Sequence, residues 1–255
     1  MRLHAPRRPE SSMSCVPRPT RCRTALVAGL FVVALLVAAT PASAERHQAR
    51  VFPPGAHPFG QTYSEWAADW WTWAVAQPVD VNPILDPTGE QCALGQQGRV
   101  WFLAGTFGGT ATRTCTVPKG TALVFPVLNN LSGAGSSDPP EQQTEEYQRS
   151  VATPPMLAAT DLSASVDGVA VKNVRRYFEE SPVFRLVLPA DNIFGVDSSC
   201  LPSPTPDAGC VVFPTVDAGY YLVTKRLKRG THKIHFAGTA PGFSLDVTYK
   251  ITVAR

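Results

Sequence analysis

The sequence predicts a mainly β protein: an antiparallel β-sandwich, jelly-roll or immunoglobulin-like, with a Trp-rich N-terminal helix and one further short helix. Three observations carry this expectation. From Arg99 onward, short apolar or alternating runs recur between clusters of Gly, Pro, Asn and Asp, which is the texture of strands and turns. Four of the five tryptophans, Trp66, Trp70, Trp71 and Trp73, fall within residues 62–77 at helical spacing. A second, acidic stretch over residues 138–152 is the only other helical candidate.

The front of the chain is read as a signal peptide over residues 1–44. Arg18, Arg21 and Arg23 precede an uncharged apolar run over 25–39, and Pro41-Ala42-Ser43-Ala44 supplies an Ala-x-Ala cleavage site. Met13 is an equally good start. The expected location is therefore secreted or extracellular, with the cell envelope as an alternative, and no later stretch qualifies as a membrane span. The full chain has 23 basic and 20 acidic residues; removing six arginines and Glu10 leaves 17 − 19 = −2 for residues 45–255. Such a balance gives no reason to expect a nucleic acid or an anionic membrane as partner.

The rest is expected to form a Pro/Gly-rich arm over 45–61 and a single β-sandwich domain over 62–255 that includes the Trp-rich helix 62–77. Thr62 and Glu65 form a Thr-x-x-Glu capping box, and Pro78 ends the helix near Ala76. At ~100° per residue the indoles and Tyr63 span an arc of about 160°, with Glu65, Ala68, Asp69, Thr72 and Ala76 opposite. Each buried aromatic removes roughly 150–250 Å² of surface from water, so the stripe is first of all a core element. Strands are expected over 99–104, 111–117 and 122–128. A hairpin follows over 163–166 and 169–173 around Asp167-Gly168, which suits a type I′ turn. Further strands are expected near 174–179 and 183–188, a loop over 191–214, and three closing strands over 219–226, 231–238 and 244–253. The cysteines of residues 45–255 are Cys92, Cys115, Cys200 and Cys210, an even count that suits two disulfides in an oxidising compartment. Three pairings are open; proximity favours Cys92–Cys115 and Cys200–Cys210.

Several stretches resemble a family of secreted bacterial proteins to which no activity is assigned. They are Tyr63-Ser64-Glu65-Trp66 with Trp70-Trp71, the Asp86-Pro87-Thr88-Gly89-Glu90-Gln91-Cys92 loop, and Val100-Trp101-Phe102-Leu103-Ala104-Gly105-Thr106-Phe107-Gly108-Gly109. Phe125-Pro126-Val127-Leu128-Asn129, Leu188-Pro189-Ala190-Asp191-Asn192, Gly230-Thr231-His232-Lys233-Ile234-His235-Phe236 and the closing Phe243-Ser244-Leu245-Asp246-Val247-Thr248-Tyr249 belong to the same likeness. Where the family pattern continues with a cysteine and a glutamate, this chain has Asn130-Leu131-Ser132. The resemblance implies export and a single domain, and it brings no chemistry.

The residues themselves offer weak catalytic signals. Leu131-Ser132-Gly133-Ala134-Gly135 lacks the first glycine of a nucleophile elbow, and residues 105–109 lack the Lys-Ser/Thr of a phosphate loop. Glu65, Asp69, Asp86 and Glu90 are carboxylates near the helix, but nothing in the sequence selects a glycosidase pair. His232 and His235 stand at i and i+3 on a strand and so face opposite ways, and Cys-x-x-Cys spacing is missing, so no metal site is assigned. Asp191, Asn192 and Asp197 are candidate oxygen ligands for a structural calcium ion; no other cofactor is expected. The leading expectation is a non-catalytic protein that binds a small ligand, a glycan or an envelope component. Trp71 and Trp73 would edge the groove, with His57, Glu65 and Asp69 nearby. The alternative is an extracellular hydrolase in which His57 acts with Glu65 or Asp69.

Overall fold

The computed structural model describes residues 48–196, the backbone of 201–202, and residues 210–254. The signal peptide read over residues 1–44 lies outside them, as do Asp197 and Cys200. The chain is mainly β. Helix α1 (Tyr63–Val75) is followed by β1 (Val100–Phe102), β2 (Gly109–Val117), β3 (Ala122–Gly133) and helix α2 (Glu145–Leu157). Strands β4 (Thr160–Val166), β5 (Val169–Ala170), β6 (Phe178–Glu180), β7 (Phe184–Leu188) and β8 (Leu201–Pro202) come next, then β9 (Cys210–Val223), β10 (Gly230–Ala240) and β11 (Phe243–Val253). Among the described residues no helix is long and apolar enough to cross a membrane.

Two sheets result. One runs β1-β3-β9-β6, with β7 and β8 also pairing with β9; the other runs β2-β11-β10-β4-β5. Both are mixed rather than purely antiparallel, because β1 pairs with β3 and β2 with β11 in parallel. The chain leaves β1, crosses to the second sheet as β2 and returns as β3. Two strands separated by such a crossover enter their sheet in the same direction.

Side chains alternate across β9, and its register with β3 sets which residues share a face: Asp217 stands opposite Leu131 and Gly219 opposite Asn129. Helix α1 covers this face, where the Trp71 indole donates to Asp217. The other face meets helix α2, to which Tyr220 donates through the Met156 carbonyl, and the second sheet, where Phe125 stacks on Phe236 at 5.0 Å between centroids.

The helix α1 expectation holds closely. Thr62 Oγ1 accepts from the Glu65 N–H at 3.1 Å while Glu65 Oε2 accepts from the Thr62 N–H at 2.7 Å, so two of the helix's orphan donors are satisfied reciprocally. Glu65, Asp69, Thr72 and Ala76 are exposed, as the helical wheel requires, whereas Ala68 is buried. Other expectations shift. Helix α2 begins at Glu145 rather than 138, where Thr144 caps it, and runs through Pro154 and Pro155, its end closed by the Ala158 N–H donating to the Pro154 carbonyl. A proline removes its own donor without preventing its carbonyl from accepting. Residues 174–177 form a 3-10 turn entered through left-handed Asn173 (φ 53), and only 178–180 pair as a strand. The apolar run from Cys210 belongs to β9, paired with β7, rather than to the expected loop.

The arm is tied down from Ala49 onward. Val51 bridges Thr224, the Phe52 N–H donates to Val223, and the Phe52 carbonyl accepts from both Tyr63 and Tyr177 hydroxyls. Cys92 and Cys115 form a disulfide with Cα atoms 5.9 Å apart, fastening the 84–97 loop to β2. Cys210 is disulfide-bonded as well; the expected partner, Cys200, lies outside the described residues.

Candidate ligand-binding site

The four helix tryptophans are all buried, and each indole N–H has found a separate acceptor. Trp66 donates to the Pro58 carbonyl (3.0 Å), Trp70 to Leu103 (2.9 Å), Trp71 to Asp217 Oδ1 (2.6 Å) and Trp73 to Leu94 (2.9 Å). A buried indole without an acceptor costs free energy, so these bonds fix how the helix sits on β1, β9 and the 84–97 loop.

The second organising group is Arg113, which stands between two threonines on an alternating strand and carries no binding or catalytic motif. Its side chain is buried without a carboxylate partner among the described residues and instead donates to main-chain carbonyls: Nε to Asp86 at 2.6 Å, Nη2 to Ile84 at 3.0 Å, and Nη1 to Ala104 and Gly105 at 2.8 and 2.9 Å. Nη1 also donates to the Tyr249 hydroxyl at 2.8 Å, which itself donates to Ala104. The Asp86 carboxylate is used locally, accepting from the Thr88, Gly89 and Gln91 N–H groups, and these bonds hold its pKa below the usual range despite partial burial. Arg113 therefore holds residues 104–105 against the second sheet and away from β3.

This has a geometric consequence. Strand β1 pairs only with residues 122–124 of β3, and the chain after Leu103 turns off toward β2. The remainder of β3 has β9 on one side and, among the described residues, no strand on the other. A cavity of about 350 Å³ opens there, between the layer of helix α1 and that of helix α2. Trp70, Trp71 and Ile84 wall it on one side, Pro155 and Met156 on the other, with Asn129, Asn130 and Leu131 of β3 between them. Phe107 and Phe194, 51% and 40% exposed with ring centroids 6.4 Å apart, stand at its mouth, and Phe243 adds a third ring.

Behind the wall lies a buried polar group. Asp217 is fully buried; burial pushes its carboxyl pKa up to about 8, against the opposing effects of the Trp71 N–H and the Tyr221 hydroxyl. Its Oδ2 has no hydrogen-bond partner among the described residues. Tyr221 is raised well above its ordinary value, by burial first and then by Asp217, and its hydroxyl accepts from the Asn129 amide at 2.9 Å. Asn129 and Trp71 thus carry both the cavity wall and the polar layer behind it.

The residues expected from sequence fall in different places. Trp71 edges this cavity. Trp73 borders a separate, shallower groove of about 600 Å³, together with Asp69, Gln77, Gln97 and Arg99. There one face of Trp73 is already stacked on Phe102, at 5.5 Å. Glu65 is engaged in the helix cap, whose bonds from the Thr62 backbone and hydroxyl lower its pKa, and Asp69 accepts from Gln61 Nε2 at 2.7 Å. His57 is exposed on the arm; its carbonyl accepts from the Gly60 N–H at 3.2 Å, and no described residue hydrogen-bonds to its imidazole. His232 and His235 take separate carboxylates, Asp167 at 2.8 Å and Asp246 at 3.0 Å. Asn192 closes its own turn, its amide donating to Pro189 and Val196 and accepting from Phe194 and Val196. Among the described residues no group of three or more His, Cys, Asp and Glu is placed to hold a metal ion.

Comparison with protein-family models, with curated proteins and with solved structures returns no match.

Proposed function

We propose that this is an exported, non-catalytic β-sandwich protein that binds a small, largely apolar ligand in the cavity at the open edge of β3. The single observation that carries the reading is the lining: eight large apolar or aromatic side chains from seven stretches of chain converge on about 350 Å³, with two of the aromatic rings left exposed at the mouth. Phe107 and Phe194 lie side by side, and a contiguous apolar patch at a cavity mouth is the kind of surface that marks a binding groove; the volume falls in the range of small-molecule sites, roughly 300–1,000 Å³. The glycan expectation attaches instead to the Trp73 groove, favoured only by its polar rim of Asp69, Gln77, Gln97 and Arg99.

The test is titration with 8-anilinonaphthalene-1-sulfonate, monitored by tryptophan fluorescence, since Trp70 and Trp71 wall the cavity. Saturable one-to-one binding that disappears in Ala240→Phe, where a ring enters from the cavity lining, supports the reading. Equal binding by wild type and Ala240→Phe, with both folded, overturns it. A panel of soluble polysaccharides serves the glycan arm: a rise in melting temperature that is lost in Asp69→Ala moves the site to the Trp73 groove. Export is checked by the N-terminal sequence of the protein recovered outside the cell, expected to begin at Glu45.

A further inference from the structure

The register of β9 determines where the free backbone groups of β3 point. The Asp217 N–H donates to Ser181 Oγ at 2.8 Å and the Asp217 carbonyl accepts from the Ser181 N–H at 2.9 Å. Both main-chain groups of Asp217 therefore face away from β3. In an antiparallel pair, residues opposite each other either exchange both bonds or turn both away. Leu131, opposite Asp217, accordingly turns its N–H and C=O away from β9, toward the side of β3 where no described strand pairs. Asn129, two residues earlier and opposite Gly219, does the same, because alternation repeats every second residue. Asn129, Asn130 and Leu131 are consecutive, yet all three line the cavity. Side chains of consecutive strand residues leave on opposite faces, so three in a row line one cavity only where the strand's edge itself forms the wall.

The cavity thus combines two features. Along one wall run two outward donor–acceptor pairs, spaced about 7 Å apart as in any extended strand. Around them stand Trp71, Phe107, Met156, Phe194 and Phe243. Extended main chain satisfies the first feature, and one large apolar side chain fills the second; bonds to a strand edge supply affinity while the pocket selects the side chain.

We infer that the ligand is a short, extended peptide-like amide carrying one large apolar or aromatic side chain, paired through its own N–H and C=O with Asn129 and Leu131. This rests on the cavity being the binding site, and the test separates the two. The probes are N-acetyl-L-phenylalanine N-methylamide, its depsipeptide in which an ester oxygen replaces the phenylalanine N–H, and toluene. Binding to the purified protein is measured by calorimetry, and backbone hydrogen exchange is followed by NMR. The amide is expected to bind roughly fivefold tighter than the ester, as loss of one net hydrogen bond implies. It should also slow exchange at the Asn129 and Leu131 amides. Leu131→Pro removes one outward donor at a strand edge, where proline is tolerated; that donor faces the ligand C=O, so the substitution should weaken amide and ester alike and leave their ratio unchanged. Leu131→Ala keeps the donor and should weaken the two probes less than Leu131→Pro does. If amide and ester bind equally in the wild type and neither amide is protected, the inference fails while the cavity stands. If neither the amide, the ester nor toluene binds, the cavity reading and the inference fall together.

Discussion

Arg113→Met is the sharpest test of how the cavity is built. Methionine keeps most of the stem's volume and deletes the guanidinium, so the loss is of hydrogen bonds more than of packing. The Ala104 carbonyl retains the Tyr249 hydroxyl, but the carbonyls of Ile84, Asp86 and Gly105 lose the donors that hold them. A buried carbonyl left unpaired costs about 1–3 kcal/mol, and water can recover part of this at half-buried Asp86, so a total of about 4 kcal/mol is expected. For a domain of this size that corresponds to a fall of about 12 °C in melting temperature. Thermal melting followed by tryptophan emission is the assay, with urea unfolding to confirm the free-energy difference. Arg113→Lys should recover only part of the loss, because an ammonium cannot reproduce the planar fork that reaches four carbonyls. A second consequence is specific to the cavity: with residues 104–105 released, Phe107 loses its position and apolar-probe binding weakens even where the variant remains folded. A fall of less than about 1 kcal/mol in Arg113→Met would refute the clamp, since a single net hydrogen bond accounts for that much.

Two further outcomes follow from the same structure. Asp217 has a folded-state pKa of about 8 against 3.8 for the free side chain, so between those values the folded state binds the extra proton. Its contribution to stability is therefore greatest at acid pH and is lost as pH rises toward 8 and beyond. Urea midpoints at pH 5 and pH 8.5 should show this decline in the wild type and a much smaller one in Asp217→Asn, which keeps an acceptor for Trp71; equal slopes would contradict it. Reducing or deleting the Cys92–Cys115 bridge, whose sequence separation is 23, should cost about 3 kcal/mol from loop entropy in the unfolded chain, read as a lower urea midpoint of Cys92→Ala/Cys115→Ala.

What the sequence revealed depended on how local the determining physics was. The cap of helix α1 involves residues three apart, and both its start and its aromatic face were legible from Thr62, Glu65 and the tryptophan spacing. The pairing of Cys92 with Cys115 was likewise favoured by proximity. The parallel pairs were not legible, because they depend on which sheet the chain crosses to between Leu103 and Gly109. The second half of β9 coincides with the strand expected over 219–226, but its first half is hidden by the Pro, Ser and Gly content that precedes it, although Cys210, Val211, Val212 and Phe213 form an apolar run. The candidate site was legible in part. Trp71 was singled out, but its partner Asp217 lies 146 residues away, and nothing near Asp217 in sequence distinguishes it from a turn residue. Arg113 was missed for a related reason: flanked by threonines on an alternating strand, it reads as an exposed charge. Its inward position was still visible in principle, since Ala111, Arg113, Cys115 and Val117 share one face of that strand, and the other three are apolar.

The position of Arg113 also explains why the fold leaves part of β3 unpaired. An open edge is a hazard, because its unpaired N–H and C=O groups template association with other strands. Extending β1 by a few residues would remove the hazard by continuing the parallel pair past Val124. The buried guanidinium prevents this by drawing the Ala104 and Gly105 carbonyls toward β2 and Tyr249. The edge that remains is flanked by helix α1 on one face and helix α2 on the other, with Phe107 and Phe194 outside it, so a second copy's strand meets walls before it meets the backbone. A molecule small enough to enter about 350 Å³ does not. The guanidinium that holds the edge open is itself bonded to four carbonyls and a hydroxyl, so the opening is built by a satisfied polar group rather than left by missing contacts, and that is the physical reason to regard the cavity as a site rather than a packing defect.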